Sequence, residues 1–134
     1  MRYAAAAIFT AAFWCVAGAA AADTCEAPVN QLEKGQTFAG TVRYVADGDT
    51  LCVGNHSDPA TWIKVRLADF YAPELSEPEG RQAKAALEAI AMGQSASCVA
   101  QFRSLDRIVA RCSVRGRSIG DQMRAAGAPE DSPW

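Results

Sequence analysis

Four cysteines, Cys25, Cys52, Cys98 and Cys112, follow an apolar, alanine-rich leader, and this combination constrains the fold more than any other feature. Arg2 supplies the positive start of the leader, Ala4 to Val16 its apolar core, and Ala20-Ala21-Ala22 the small-residue pattern of a cleavage site before Asp23. Residues 1–22 therefore read as a signal peptide, and Cys15 leaves with it. The protein is expected to be exported, periplasmic or secreted, where thiols oxidise. Four cysteines in that setting predict two disulfides, with three connectivities open. No pair has the close spacing of a zinc knuckle, so the sulfurs read as staples rather than metal ligands. The apolar run is too short for a comfortable membrane span and nothing later replaces it, so no membrane attachment is expected.

Loss of the leader leaves 112 of the 134 residues, enough for one domain with a modest core. That excludes a multidomain enzyme and a repeat protein, and the expected state is a monomer. Twelve basic residues then face 15 acidic ones, a balance that argues against an obligate, strongly basic nucleic-acid binder. Distribution matters more than the sum. Seven acids stand between Asp47 and Glu79, whereas six arginines stand between Arg103 and Arg124. An acidic stretch able to hold a cation is followed by an arginine-rich stretch able to hold phosphate. Two solvated faces would leave the same trace.

Residues 23–35 read as an extended lead-in, residues 36–127 as the domain, and residues 128–134 as a short tail. Gln36 to Ala46 is rich in β-branched and aromatic residues and predicts a strand. Asp47-Gly48-Asp49 is a turn, Thr50 to Val53 a second strand, and Gly54 to Pro59 a loop. Trp62 to Ala68 alternates, with Ile63, Val65 and Leu67 on one face and Lys64 and Arg66 on the other. Ser76 and Glu79 fit a capping box ahead of a helix whose stripe is Ala83, Leu87, Ile90 and Ala91, ended by Gly93. Strands follow at Ala96–Phe102 and Ile108–Val114. The second runs into an Arg115-Gly116 turn, and a helix follows at Ile119–Ala126 with Ser118 as N-cap. Three strands, a helix, two strands and a helix is the order of a mainly β, five-stranded OB-type barrel, although a small α+β sandwich would give the same string.

Three groups carry chemistry. Asp47-Gly48-Asp49-Thr50 can point carboxylate oxygens at one hard cation. Arg66 stands eight residues before Glu74, and Pro73 stiffens the approach to that glutamate. Arg107 opens a strand and offers a second fork of donors for phosphate oxygens. Each group alone also fits a plainer reading: a hairpin turn, a surface Arg–Glu pair, a solvated arginine.

Together, and in this order, they resemble the staphylococcal nuclease (thermonuclease) family. The resemblance runs from Thr41 to Gly127. It is carried by V-x-x-V-x-D-G-D-T-L at Val42–Leu51, V-R-L-A at Val65–Ala68, A-P-E at Ala72–Glu74, the helix starting near Gly80-Arg81, R-I-V-A-R-C at Arg107–Cys112 and S-I-G-x-x-M-x-x-A-G at Ser118–Gly127. It implies an OB-fold phosphodiesterase that cuts single-stranded DNA or RNA with calcium. Asp49 would ligate calcium with its carboxylate and Ala72 with its backbone carbonyl. Glu74 would act on the attacking water, and Arg66 and Arg107 would grip the scissile phosphate. Asp47 would shape the turn.

The chain also departs from the pattern. Tyr71 stands where the family has a second calcium carboxylate, and Asp69, two residues earlier, is the candidate substitute. With one charged ligand fewer, calcium affinity is expected near ~10⁻⁴–10⁻³ M. Leu105-Asp106 replaces an aromatic–Gly pair, and Asp106 would compete with phosphate for Arg107. Few residues follow the second helix where many relatives have a C-terminal helix. Within this frame Cys98 pairs with Cys112 on neighbouring strands, and Cys25 pairs with Cys52. The alternative to an enzyme is a noncatalytic exported OB-fold module that binds a polyanion or a protein partner.

Overall fold

Turn residues cut the chain into short β segments, and the register between those segments closes a barrel. The computed structural model describes residues 24–132, together with 11 and 12. The signal peptide and Trp134 lie outside the described residues, apart from those two leader positions. The strands are β1 (Thr37–Val45), β2 (Thr50–Gly54), β3 (Ile63–Leu67), β4 (Ser95–Ser104), β5 (Arg107–Val114) and β6 (Arg117–Ser118). The helices are α1 (Pro78–Ala91) and α2 (Ile119–Ala125). β1 pairs antiparallel with β2 and β4, β2 with β3, and β4 with β5. A parallel pairing of β3 with β5, with Val65 opposite Ile108, closes the ring. The fold is the expected five-stranded OB-like barrel, and closure removes the open sheet edges that invite aggregation.

Inward-facing positions fill the interior. Val42, Val45, Leu51, Val53, Val65, Leu67, Phe70 and Ile108 are all buried. α1 plugs one end through Ala83, Leu87 and Ala91, and α2 adds Ile119 and Met123. Each fully buried Leu or Ile contributes roughly 1.5–3 kcal/mol of transfer free energy. Two disulfides staple the described residues, Cys25–Cys52 and Cys98–Cys112, as the family frame implies. Cys98 and Cys112 face one another directly across β4 and β5 with Cα atoms 4.1 Å apart. Such pairs belong to an oxidising compartment. No helix among the described residues is long and apolar enough to cross a membrane.

Three local readings change. The capping box does not form: Glu77, not Ser76, is the N-cap of α1, and no side-chain cap bond is made. Pro78 suits the first helical position and pushes Glu77 into an extended conformation, which leaves Ser76 outside the helix. β4 and β5 run longer than their alternation predicts, so only Leu105 and Asp106 separate them. Leu105 sits at φ 60°, a left-handed conformation that strains a residue with a Cβ. Finally, Arg66 is not on a solvated face: it is 9% exposed.

Candidate functional site

One polar cleft of about 360 Å³ collects residues from distant parts of the chain. The β1–β2 turn contributes Asp47 and Asp49, β3 contributes Arg66, the segment after β3 contributes Tyr71, Ala72, Pro73 and Glu74, and β5 contributes Arg107. Asp49, Arg66, Ala72, Glu74 and Arg107, the five positions matched to the family's site, thus line one space. Asp69 does not.

The turn is built for close packing. The Asp49 amide donates to Asp47 Oδ1 at 3.0 Å, an Asx-turn bond that shapes the corner. A Cβ at Gly48 would come within 2.6 Å of the methyl groups of Ala72 and Ala83, so glycine lets the turn press against α1 and the segment after β3. Gly80 has the matching role for Glu74. A Cβ there would strike the Glu74 carbonyl, so α1 packs directly on the backbone that carries this glutamate. Pro73 is buried and Glu74 is exposed to the cleft.

Asp49 is 8% exposed. Its Oδ2 accepts from the Ala72 amide at 3.0 Å and pairs with Arg66 Nη2 at 3.2 Å, while Thr50 Oγ1 donates to Oδ1 at 3.2 Å. Burial, and then the neighbouring Asp47, push the Asp49 carboxyl up from 3.8 to about 6, against the opposing pull of the Ala72 amide and Arg66. It is the Ala72 amide, rather than its carbonyl, that meets Asp49. No three His, Cys, Asp or Glu side chains among the described residues are grouped to hold a metal ion.

The two arginines differ sharply. Arg66 Nη1 donates to the Leu67 carbonyl, Nη2 pairs with Asp49, and the Tyr71 ring lies 4.1 Å from the guanidinium carbon. Arg107 is half-buried, and its Nε has no hydrogen-bond partner. A buried guanidinium donor left unpaired is costly, and an anion in the cleft would relieve that cost. Asp106 pairs with Lys64 at 3.4 Å, which offsets the expected competition for Arg107.

Asp69 requires a correction. It is no substitute for the missing carboxylate, because the chain bends at Ala68–Asp69 and the extended alternation stops there. Asp69 Oδ2 accepts from Ser118 Oγ and lies 3.6 Å from Arg111 Nε, on the α2 side of the barrel. Tyr71, two residues on, lies over Arg66 instead.

Asp131 and Ser132 complete the cleft, and sequence reasoning missed them. The Asp131 amide donates to the Tyr71 carbonyl at 2.7 Å, and Arg124 holds Glu130 at 2.9 Å. A proline-containing tail gives no local signal for such a return. The chain matches no protein-family model and no curated protein.

Proposed function

We propose that this chain is an exported phosphodiesterase that hydrolyses single-stranded nucleic acid, as the staphylococcal nuclease family it resembles would do. The single observation that carries the reading is the convergence of Asp49, Arg66, Glu74 and Arg107 on one cleft from four separate segments. Arginine forks match phosphate oxygens, and guanidinium groups fixed in place stabilise the extra negative charge that develops on phosphorus as a nucleophile adds. Glu74, exposed on a stiff segment, takes a proton from the attacking water or aligns it. The water oxygen forms the new P–O bond, the bond to the leaving oxygen breaks, and solvent supplies the proton to that oxygen.

The cleft carries hard carboxylate oxygens on Asp47, Asp49, Glu74 and Asp131, the donor type calcium takes, but no three of them are grouped to hold an ion. Asp49 would hold the ion by sharing a carboxylate that already pairs with Arg66. When bound, calcium supplies Lewis-acid stabilisation of phosphate oxygens. The two disulfides support export.

The test is digestion of heat-denatured DNA by the purified mature protein, with calcium or with a calcium chelator, and with Glu74→Ala alongside. Cleavage that needs both calcium and Glu74 is expected. Absence of calcium-dependent cleavage from neutral to alkaline pH would sink the enzymatic reading. One observation favours a second reading: Arg66 is already engaged by Asp49, the Leu67 carbonyl and Tyr71. A barrel whose Arg66 stays engaged in this way binds a polyanion without cutting it, and strand binding without digestion would select that reading.

A further inference from the structure

The stretch of chain that carries Glu74 has no regular structure of its own: residues 70–74 belong to neither strand nor helix. Such a stretch holds a side chain in place only if its backbone polar groups have fixed partners. At its far end the Ala72 amide bonds to Asp49, and α1 packs on the Glu74 carbonyl. Its near end is held by α2 and the tail. Arg124 Nη2 donates to the Asp69 carbonyl, the Arg124 guanidinium carbon lies 5.7 Å from the centre of the buried Phe70 ring, and the Asp131 amide donates to the Tyr71 carbonyl at 2.7 Å. Three consecutive residues, Asp69, Phe70 and Tyr71, are thus met from the C-terminal part of the chain.

Local sequence brings the tail back to that place. Gly127 takes φ 71°, and the Ala128 amide donates to the Met123 carbonyl at 3.0 Å, a Schellman ending that reverses the chain after α2. Pro129 fixes the next backbone angle. Glu130 then meets Arg124 through a two-bond fork, Nε to Oε2 at 2.9 Å and Nη2 to Oε1 at 3.0 Å, while Nη1 lies 3.5 Å from Asp121 Oδ1. Isolated exposed ion pairs contribute little, but a bidentate arginine inside a network keeps its geometry. The guanidinium has donors enough to hold a carboxylate and a carbonyl together. Neither Arg124 nor Glu130 lines the cleft, so neither has a part in its chemistry as described above. Asp131 follows Glu130 directly, so the fork delivers the amide that reaches Tyr71. Tyr71 in turn lays its ring over Arg66.

We propose that Arg124 is a positioning residue for Glu74: with Glu130 it seats the tail on the Asp69–Tyr71 backbone and so fixes the irregular stretch that presents Glu74 to the cleft. The inference rests on the reading of that cleft as a phosphodiesterase site. A group that activates water tolerates little misplacement, and a shift of about 1 Å caused from a distance costs orders of magnitude in rate. The grip of Arg107 on phosphate does not pass through Arg124, so strand binding is untouched.

The experiment is single-turnover cleavage of a labelled single strand in calcium, with the mature, disulfide-intact protein in excess, so that the saturating rate and the half-saturating protein concentration are read separately. Arg124→Gln and Glu130→Gln should each lower the saturating rate about ten-fold and leave the half-saturating concentration unchanged. The double variant should be no slower than either single one. In a Glu74→Ala background Arg124→Gln should cost nothing further, because the group it positions is gone. Hydrogen exchange supplies a readout besides activity: Arg124→Gln should speed exchange of the Asp131 and Ala72 amides and leave the β1–β2 ladder unchanged. Arg124 and Glu130 are exposed, so these variants are expected to fold, and the unchanged ladder checks it. A wild-type rate in Arg124→Gln, the same loss with Glu74 already removed, or unchanged exchange at Asp131 overturns the inference and leaves the phosphodiesterase reading standing. No cleavage by the wild-type protein overturns that reading and the inference with it.

Discussion

Arg66 and Arg107 are the same residue type on the two strands whose parallel pairing closes the barrel, yet they stand in opposite electrostatic situations. Arg66 lies near the end of β3, 9% exposed, neutralised by Asp49 and covered by Tyr71. Arg107 opens β5 beside a tight hairpin, with its Nε unsatisfied. The difference teaches that a shared cleft does not imply a shared job. Arg66 belongs first to the architecture of the turn and reaches a ligand only by sharing itself with Asp49, whereas Arg107 is left for the ligand.

Substitution at Arg66 should break the comparison most forcefully. Arg66→Ala leaves Asp49 buried without its cation, and at pH 8 a loss of about 3–5 kcal/mol in urea unfolding is expected. A change below about 1 kcal/mol would mean that the pair is not structural. Arg107→Ala should do the reverse. Stability should move by less than about 0.5 kcal/mol, while cleavage of single-stranded DNA should fall roughly 10²–10³-fold.

Asp49 sharpens the same contrast through pH. Its carboxyl is raised from 3.8 to about 6 in the fold, so between those values the folded state binds a proton that the unfolded chain has released. Wild-type stability should therefore rise as pH falls from about 6 towards 4, and this contribution should be lost as pH rises through 6. Asp49→Asn should lack the slope, the full difference being on the order of 3 kcal/mol. Identical slopes in chemical denaturation at several pH values would refute the coupling. Calcium, which needs the ionised carboxylate, should bind more weakly below pH 6. The smallest effect is expected at Lys64. Lys64→Ala releases Asp106 towards Arg107, and strand binding should weaken roughly two- to five-fold in anisotropy titrations.

The parts of the site legible in the sequence are those fixed by short-range rules. The Asp47-Gly48-Asp49 corner, the stiff approach of Pro73 to Glu74 and the arginine at the head of β5 each follow from turn, proline and strand chemistry within a few residues. The order of strands and helices was legible for the same reason, but that string fits a small α+β sandwich as well, and the parallel pairing of β3 with β5 decides for the barrel. What escaped depends on contacts or irregularities without a local marker. A bend at Ala68–Asp69 sends Asp69 to Ser118 and Arg111. A bulge at Gln101 reverses the facing of Phe102, and no glycine announces it. The tail returns to the cleft through the long-range bond of the Asp131 amide to the Tyr71 carbonyl, with Glu130 held by Arg124. Arg66 was placed on the right strand but given the wrong surroundings, because alternation reports facing and not what covers the face.

The most direct test of the central claim is single-turnover cleavage of one labelled single strand in calcium by the wild-type protein, Glu74→Ala and Arg107→Ala. The account predicts cleavage by the wild type and a loss of two orders of magnitude or more in each variant. Wild-type cleavage that survives both substitutions, or no wild-type cleavage at all, would contradict it.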